Sequence, residues 1–166
     1  MKIESQVSEA LNAQINNELR ASYVYLAMAA HFDSDNLKGF ASFFRRHAGE
    51  EIDHAMRIYD FIVKRGGTVE LKGIAVPEKN FRDPAAAIRT ALAMEADVTD
   101  QIHKLFELAH EVKEYGTQNM LHWFLEEQID EEDLFRDLLE QAEAAGDSRW
   151  HLMVLDNRLL GAAPPA

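Results

Sequence analysis

Six polar residues recur with one spacing in the two halves of the chain. In each half the second residue lies 33 positions after the first, and the third lies 3 positions after the second. The first set is Glu18, Glu51 and His54, and the second set is Glu95, Gln128 and Glu131. Each of them stands where a helical stripe would otherwise place an apolar core residue. Because a buried carboxylate is costly unless it is paired or binds a metal, helices that bring these side chains together are predicted to form a metal site.

The apolar residues follow a helical period along almost the whole chain, and we find no strand-length alternating segment between turn signals. The predicted fold class is therefore all-α, with four long helices and a short fifth one. The first helix is predicted from about Ser5 to Phe32, and the second is predicted to end before Gly66. The third is predicted to begin at Pro84, after an N-cap at Asp83. The fourth is predicted to follow a turn over 114–117 that is marked by Gly116 and to run to Gly146, and the fifth to span about 148–160.

The lengths of these helices bring the members of each set to one level. The turn near Ser34 lies 16 residues after Glu18 and 17 residues before Glu51. At about 1.5 Å per residue the chain rises by roughly 24 Å and then returns by the same distance. The connection between the second and third helices has about 17 residues and can span roughly 50 Å, so that these two helices run parallel. The predicted topology is two antiparallel hairpins joined by one long crossover.

Composition narrows the class of protein and of metal. The chain of 166 residues, 47% of them hydrophobic and 28% charged, fits a single globular domain covering 1–166, with the bundle over about 5–146. A net charge of −12 argues against nucleic-acid binding and suits a protein that attracts cations. With no cysteine, only oxygen and imidazole ligands remain for a metal. No apolar stretch is long enough for a membrane span and no signal peptide precedes the first helix, so we expect a cytoplasmic protein.

Three segments carry a resemblance to a known family. The stretch FRRHAGEEIDHA over 44–55 and the stretch WFLEEQIDEE over 123–132 resemble the signatures of the second and fourth helices of bacterial non-haem ferritins. Asn17 and Glu18, followed by the Tyr23-Val24-Tyr25 run, resemble the first helix of that family. The likeness covers nearly the whole chain, including the long crossover and the short fifth helix. It implies a ferritin-like four-helix bundle.

The resemblance also implies a particular use of the six residues. One iron is bound by Glu18, Glu51 and His54, and Glu51 bridges to a second iron that is held by Glu95 and Glu131. Gln128 occupies the position at which the family's glutamine borders the second iron. The haem-containing bacterioferritins have a haem-ligating methionine at the position of Ile52. The isoleucine therefore predicts a protein without haem.

Further residues are predicted around this centre. Many bacterial members of the family have a third iron site, and Glu50, Glu127, Asp130 and Glu131 fall on its positions; the alternative is a solvated acidic rim. Tyr25 lies two turns after Glu18, where it would hydrogen-bond a ligand carboxylate or donate an electron; the alternative is an ordinary core tyrosine.

Two other features receive a simpler interpretation. Trp123 has the same two interpretations as Tyr25, and core packing is favoured. The six remaining histidines have no comparable grouping in the sequence and are assigned no role. They are His31, His47, His103, His110, His122 and His151.

The function implied by the resemblance is iron storage and detoxification by a ferroxidase. Dioxygen or hydrogen peroxide would oxidise Fe(II) at the paired site, and the product would be stored as a ferric oxo-hydroxide mineral inside a homo-oligomeric shell of 24 subunits. The apolar fifth helix would pack around four-fold axes of that shell, whereas in a monomer it would have to cap the bundle.

Three rival functions are less well supported by the sequence. A rubrerythrin-like peroxidase usually carries a cysteine-ligated module, and this chain has no cysteine. A Dps-like miniature ferritin binds its iron between subunits and lacks a fifth helix. A cage subunit without oxidation activity lacks some of the ligands that are all present here.

Overall fold

The computed structural model describes residues 3–161, which form five α-helices and no strand. The helices are α1 (Ser5–Ser34), α2 (Lys38–Lys64), α3 (Pro84–Glu111), α4 (Tyr115–Ala145) and α5 (Arg149–Gly161). The predicted all-α class and the helix order are confirmed. Asp83 caps α3 as expected, because its carboxylate accepts a hydrogen bond of 2.7 Å from the backbone N–H of Ala86.

Three of the long helices end in the same way. The second residue after each of these helices takes a left-handed conformation, with φ of 58° at Asn36, 71° at Gly66 and 60° at Lys113. In each case the next N–H donates to a carbonyl five residues earlier, as in the 2.8 Å bond from Glu114 to Ala109. The predicted turn at Gly116 is therefore wrong: the chain reverses at Lys113, and Gly116 lies in the first turn of α4.

The crossover over 65–83 follows α1 along the bundle. Near the start of the crossover, the side-chain amide of Asn12 donates to the carbonyl of Thr68 (3.0 Å) and accepts from the N–H of Glu70 (2.7 Å). Near its end, the ring of Phe81 lies 5.4 Å from the ring of His31, centroid to centroid. Since Asn12 and His31 are about 28 Å apart along α1, the crossover spans most of the bundle. This course makes α2 and α3 parallel, as predicted.

The apolar core is divided into two clusters by a polar layer. One cluster lies toward the turn between α1 and α2 and contains Phe32, Phe44 and Phe135. The other lies toward the opposite end and contains Ile15 and Phe124. The two sets of polar residues found in the sequence occupy the level between the clusters, where they are buried. The two clusters thus enclose the layer in which chemistry can occur.

The fifth helix is attached to the N-terminal end of α2. The carboxylate of Asp156 accepts a 2.9 Å hydrogen bond from the backbone N–H of Phe40, a group that has no partner within the first turn of its helix. Gly39 permits this close approach, because a Cβ atom there would lie 1.7 Å from the carbonyl oxygen of Asp156. Among residues 3–161, no helix is long and apolar enough to cross a membrane.

Candidate metal centre

The first set of residues forms a compact buried cluster. Glu18, Glu51 and His54 each place one ligand-type atom within 4.8 Å of the others. The Nδ1 atom of His54 lies 3.2 Å from Oε2 of Glu51, and the amide of Gln14 donates a 2.9 Å hydrogen bond to Oε1 of Glu18. Within the described residues, Oε2 of Glu18 and Oε2 of Glu51 have no hydrogen-bond partner. The cluster therefore has oxygen atoms free to bind a cation.

The electrostatics of this cluster also favour a bound cation. Burial raises the pKa of Glu18 well above its usual value, and the neighbouring carboxylate of Glu51 raises it further. Burial likewise raises the pKa of Glu51, with a further contribution from Glu95. A divalent cation among these groups would favour their ionised forms and reverse these shifts. A divalent cation would therefore stabilise this cluster in its ionised form.

The second set is held together by its own hydrogen bonds. The hydroxyl of Tyr25 donates to Oε1 of Glu95, and the amide of Gln128 donates to Oε2 of the same carboxylate at 3.2 Å. These bonds act against the effect of burial, which raises the pKa of Glu95. Oε2 of Glu131 has no hydrogen-bond partner in the described part of the chain. Burial and the charge of Glu95 raise the pKa of Glu131 to about 8.

Two aromatic residues adjoin these clusters. Tyr25 is fully buried, and its ring stacks on Phe135 at 5.7 Å between centroids. Burial raises the pKa of Tyr25, followed in effect by the charge of Glu95, so that its hydroxyl keeps its proton as a donor. Trp123 packs edge-on against His54 at 5.2 Å, and the guanidinium of Arg57 lies 3.9 Å from its ring centre. Trp123 thus covers the imidazole from the outside.

The structure separates the residues that the sequence placed at a third iron site. Glu50, on α2, and Glu131, on α4, both approach the ring of one histidine of α2. Glu127 instead places Oε1 3.8 Å from Nε2 of His54. Asp130 is exposed and lines an open groove between α3 and α4 together with Gln128. The role of these acids at a third site stays a prediction.

The histidine between Glu50 and Glu131 is His47, to which the sequence analysis assigned no role. It is only 2% exposed, and its Nε2 atom lies 3.6 Å from Glu50 and 3.7 Å from Glu131. One ligand-type atom from each of these three residues lies within 4.8 Å of the others. The signal in the sequence was the spacing, because His47 stands three residues before Glu50 and on the buried stripe that includes Glu51.

Comparison with known proteins identifies the family. Residues 8–145 match the family described as Ferritin-like domain. The chain is 39% identical over 157 residues to the bacterial non-heme ferritin of Staphylococcus haemolyticus (strain JCSC1435), with 95% of each chain covered. It superposes with a TM-score of 0.94 on an open pore ferritin from the hyperthermophilic archaeon Archaeoglobus fulgidus, at 39% identity and covering 95% of this chain and 98% of that one. A closed form engineered from the Archaeoglobus fulgidus ferritin gives a TM-score of 0.95 at 38% identity, covering 99% of this chain and 100% of that one. The predicted family is confirmed, and the chain belongs to the ferritins.

Proposed function

We propose that this chain oxidises Fe(II) to Fe(III) at a pair of sites within one subunit and stores the product as a ferric oxo-hydroxide mineral. Membership of the ferritin family supports iron storage as the general function. The observation that supports oxidation most directly is the buried layer itself. There, three carboxylates, Glu18, Glu51 and Glu131, each have an oxygen atom without a hydrogen-bond partner in residues 3–161.

In this proposal Glu18, Glu51 and His54 hold the first Fe(II), and Glu95 and Glu131 hold the second. Glu51 suits the position between the two ions, because its carboxylate feels the charges of both Glu95 and Glu131. Each Fe(II) gives one electron, and dioxygen or hydrogen peroxide accepts the pair. As the ions bind, the protonated carboxyl groups lose their protons to solvent.

The neighbouring residues have positioning roles in the same proposal. Tyr25 donates to one oxygen of Glu95 and Gln128 donates to the other, which fixes the orientation of the carboxylate. The amide of Gln14 fixes Oε1 of Glu18, which directs the other oxygen toward the cluster. His54 presents Nδ1 to this cluster while Trp123 packs against its ring. The site is thus arranged before the metal binds.

Storage requires an enclosed space, and we propose a shell of 24 copies of this chain. Its support is the amount of apolar surface that a monomer leaves in water. On α5, Trp150 is 70% exposed and Val154 is 53% exposed. A second exposed apolar group lies on α1 and α2 and consists of Tyr23, Leu26, Ile52 and Met56. Surfaces of this kind mark contacts between subunits.

The test adds Fe(II) aerobically to the purified apoprotein, follows the ferric-oxo absorbance, and measures the mass of the assembly on the same sample. We expect a fast phase that saturates at about two Fe(II) per subunit, followed by slower mineral growth, in an assembly of about 24 chains. An exposed histidine away from the site, His122→Ala, serves as the control and should behave like the wild type. Oxidation no faster than in buffer would refute the ferroxidase proposal, and a monomer would refute the shell.

A further inference from the structure

The gap of 33 residues between Glu95 and Gln128 recurs one helical turn further along α3 and α4. Thr99 lies four residues after Glu95, and Glu132 lies four residues after Gln128. The hydroxyl of Thr99 donates a hydrogen bond of 2.6 Å to Oε1 of Glu132, which links the two helices. Both side chains are partly exposed, and they line the open groove between α3 and α4 together with Gln128. An outer polar pair therefore adjoins the buried layer of predicted ligands.

The bond to Glu132 determines what Thr99 can offer on its other side. A hydroxyl carries a single hydrogen, and this hydrogen is used in the bond to the carboxylate. The oxygen of Thr99 is then left as an acceptor, 3.4 Å from Nε2 of Gln128. The backbone carbonyl oxygen of Glu95 lies 3.2 Å from the same nitrogen and can also only accept. Both contacts require the NH₂ group of Gln128, rather than its oxygen, on this side.

The orientation of this amide matters for the carboxylate of Glu95. Nε2 of Gln128 lies 3.2 Å from Oε2 of Glu95, where a donor favours the ionised form that binds metals. With the amide turned over, its oxygen would face both the carboxylate and the backbone carbonyl of Glu95, which is unfavourable in a buried layer. A hydroxyl of Thr99 that was not bonded to Glu132 could donate to the amide oxygen and so stabilise the turned orientation.

The first half of the chain has no such pair at the matching positions. Ser22, four residues after Glu18, donates a buried hydrogen bond of 2.7 Å to the backbone carbonyl of Ala48. At the position that corresponds to Glu132, the first half has Ala55, whose side chain is apolar. The outer polar pair therefore belongs to the half in which a glutamine stands in place of the second carboxylate.

We propose that Thr99 and Glu132 are positioning residues that keep Gln128 turned as a donor to Glu95, and that they thereby strengthen the second metal position. Neither side chain belongs to the predicted ligand set. The inference rests on the proposed function, because it takes Glu95 to be a ligand of the second ion. The expected effect is modest, since water in the groove can accept from the amide where the hydroxyl has been removed.

Calorimetric titration of the apoprotein with Zn²⁺ tests this inference without an oxidation step. The wild type should show a tighter and a weaker binding event, which correspond to the first and second positions. Thr99→Val keeps the shape of the side chain without the hydroxyl, so it should weaken the second event by about threefold and leave the first unchanged. Thr99→Ser retains the hydroxyl and should restore the wild-type affinity. The matched control is Thr90→Val, which removes an exposed hydroxyl of α3 that donates to the carbonyl of Ala86.

Two variants at Glu132 provide an independent comparison. Glu132→Gln and Glu132→Ala both remove the charge, but only the glutamine retains an acceptor for the hydroxyl of Thr99. The alanine variant should therefore bind the second ion about threefold more weakly than the glutamine variant.

Three results would overturn the inference and leave the two metal positions in place. They are an unchanged second event in Thr99→Val, a loss that Thr99→Ser does not restore, and equal affinities in the two variants at Glu132. A wild type with a single binding event would instead refute the proposed pair of metal positions, and this inference with it.

Discussion

The two halves of the candidate metal centre share their sequence spacing, but they differ in how many of their carboxylate oxygens already accept hydrogen bonds. In the first half, Glu18 and Glu51 each have an oxygen without a hydrogen-bond partner in the described residues, and His54 faces them. In the second half, both oxygens of Glu95 accept hydrogen bonds, from Tyr25 and Gln128. In the first half these oxygens have no competing donor, whereas in the second half a cation at Glu95 would share the carboxylate with two hydrogen-bond donors. We therefore expect the first position to fill before the second.

This difference follows from single residues at matching points of the repeat. Gln128 stands where the first half has Glu51, so the second half has an amide donor in place of a second carboxylate. Glu131 stands where the first half has His54, and its pKa is raised to about 8 because it is buried near Glu95. The same spacing would thus give two metal positions of unequal affinity, the tighter one in the first half.

The largest effect should come from removing a ligand of the first half. His54→Ala should slow the fast phase of Fe(II) oxidation by roughly a hundredfold or more, because no other group replaces the imidazole. Gln128→Ala, at the matching level of the second half, should slow it by about tenfold or less, since Gln128 positions Glu95. Stopped-flow absorbance on assembled protein measures both rates. Equal slowing in the two variants would contradict the proposed difference between the two halves.

The buried acids should also make the apoprotein less stable as the pH rises. In the folded chain the pKa of Glu131 is about 8, above the ordinary value of 4.5, so the folded state holds a proton that the unfolded state has released. Its contribution to stability is present below pH 4.5 and is lost as the pH rises through about 8. The pKa values of Glu18 and Glu51 are raised as well, and their contributions have the same sign.

Thermal unfolding of the apoprotein at pH 5.5 and pH 8 is the measurement. We expect a loss of the order of a few kcal/mol at the higher pH, reversed by Zn²⁺. Glu131→Gln keeps the shape of the side chain without the charge, and it should reduce the loss. A wild-type apoprotein that becomes more stable between these two pH values would contradict the assignment of these acids as buried and unpaired.

The sequence was sufficient to predict the fold and the layer of ligands, because both depend on spacing. The gap of 33 residues in each half is the length of two antiparallel helical arms, and Gln128 indeed meets Glu95 at 3.2 Å. The position of the turn before α4 was not predictable from glycine alone. The left-handed residue there is Lys113, and Gly116 instead makes room for Arg65, whose guanidinium would lie 2.6 Å from a Cβ atom.

The sequence pattern predicted which face of a helix a residue lies on, but it did not predict which neighbours the side chain would contact. Glu127 and Asp130 lie one turn apart on α4, yet one side chain lies near His54 and the other lines an open groove. His47 was missed for the opposite reason. Glu50 lies three residues after it on α2, but Glu131 comes from α4, and only the packing of α2 beside α4 brings Glu131 to the imidazole.

A smaller effect should follow from loosening the second half. Tyr25→Phe removes the hydroxyl that donates to Glu95, which raises the pKa of that carboxyl further because this hydrogen bond lowers it. Zinc calorimetry at pH 7 should show the second binding event weakened by about tenfold or less and the first event unchanged. The matched variant Tyr23→Phe changes a tyrosine on the exposed face of α1 and should have no effect. Weakening of the first event in Tyr25→Phe would mean that the hydroxyl serves both positions.

The smallest effect should come from the outer acids, Glu127 and Asp130. Glu127 lies 3.8 Å from Nε2 of His54, on the side of the ring away from the nitrogen that faces Glu51. It can orient the imidazole but does not belong to the buried cluster, and Asp130 is exposed. Replacing both by alanine should therefore leave the first rapid oxidation of about two irons per subunit nearly intact.

Glu127 and Asp130 should affect the later turnovers if they bind a third iron or help the oxidised ions to leave the centre. The double variant should then change the oxygen consumed per iron and the rate after the first two irons, measured with an oxygen electrode beside the absorbance. Single variants sharpen the result, since Glu127→Ala is close enough to His54 to alter the fast phase slightly, whereas Asp130→Ala is not. Loss of the first phase in the double variant would place these acids in the primary site. No change in either phase would leave Glu127 and Asp130 as a solvated acidic rim.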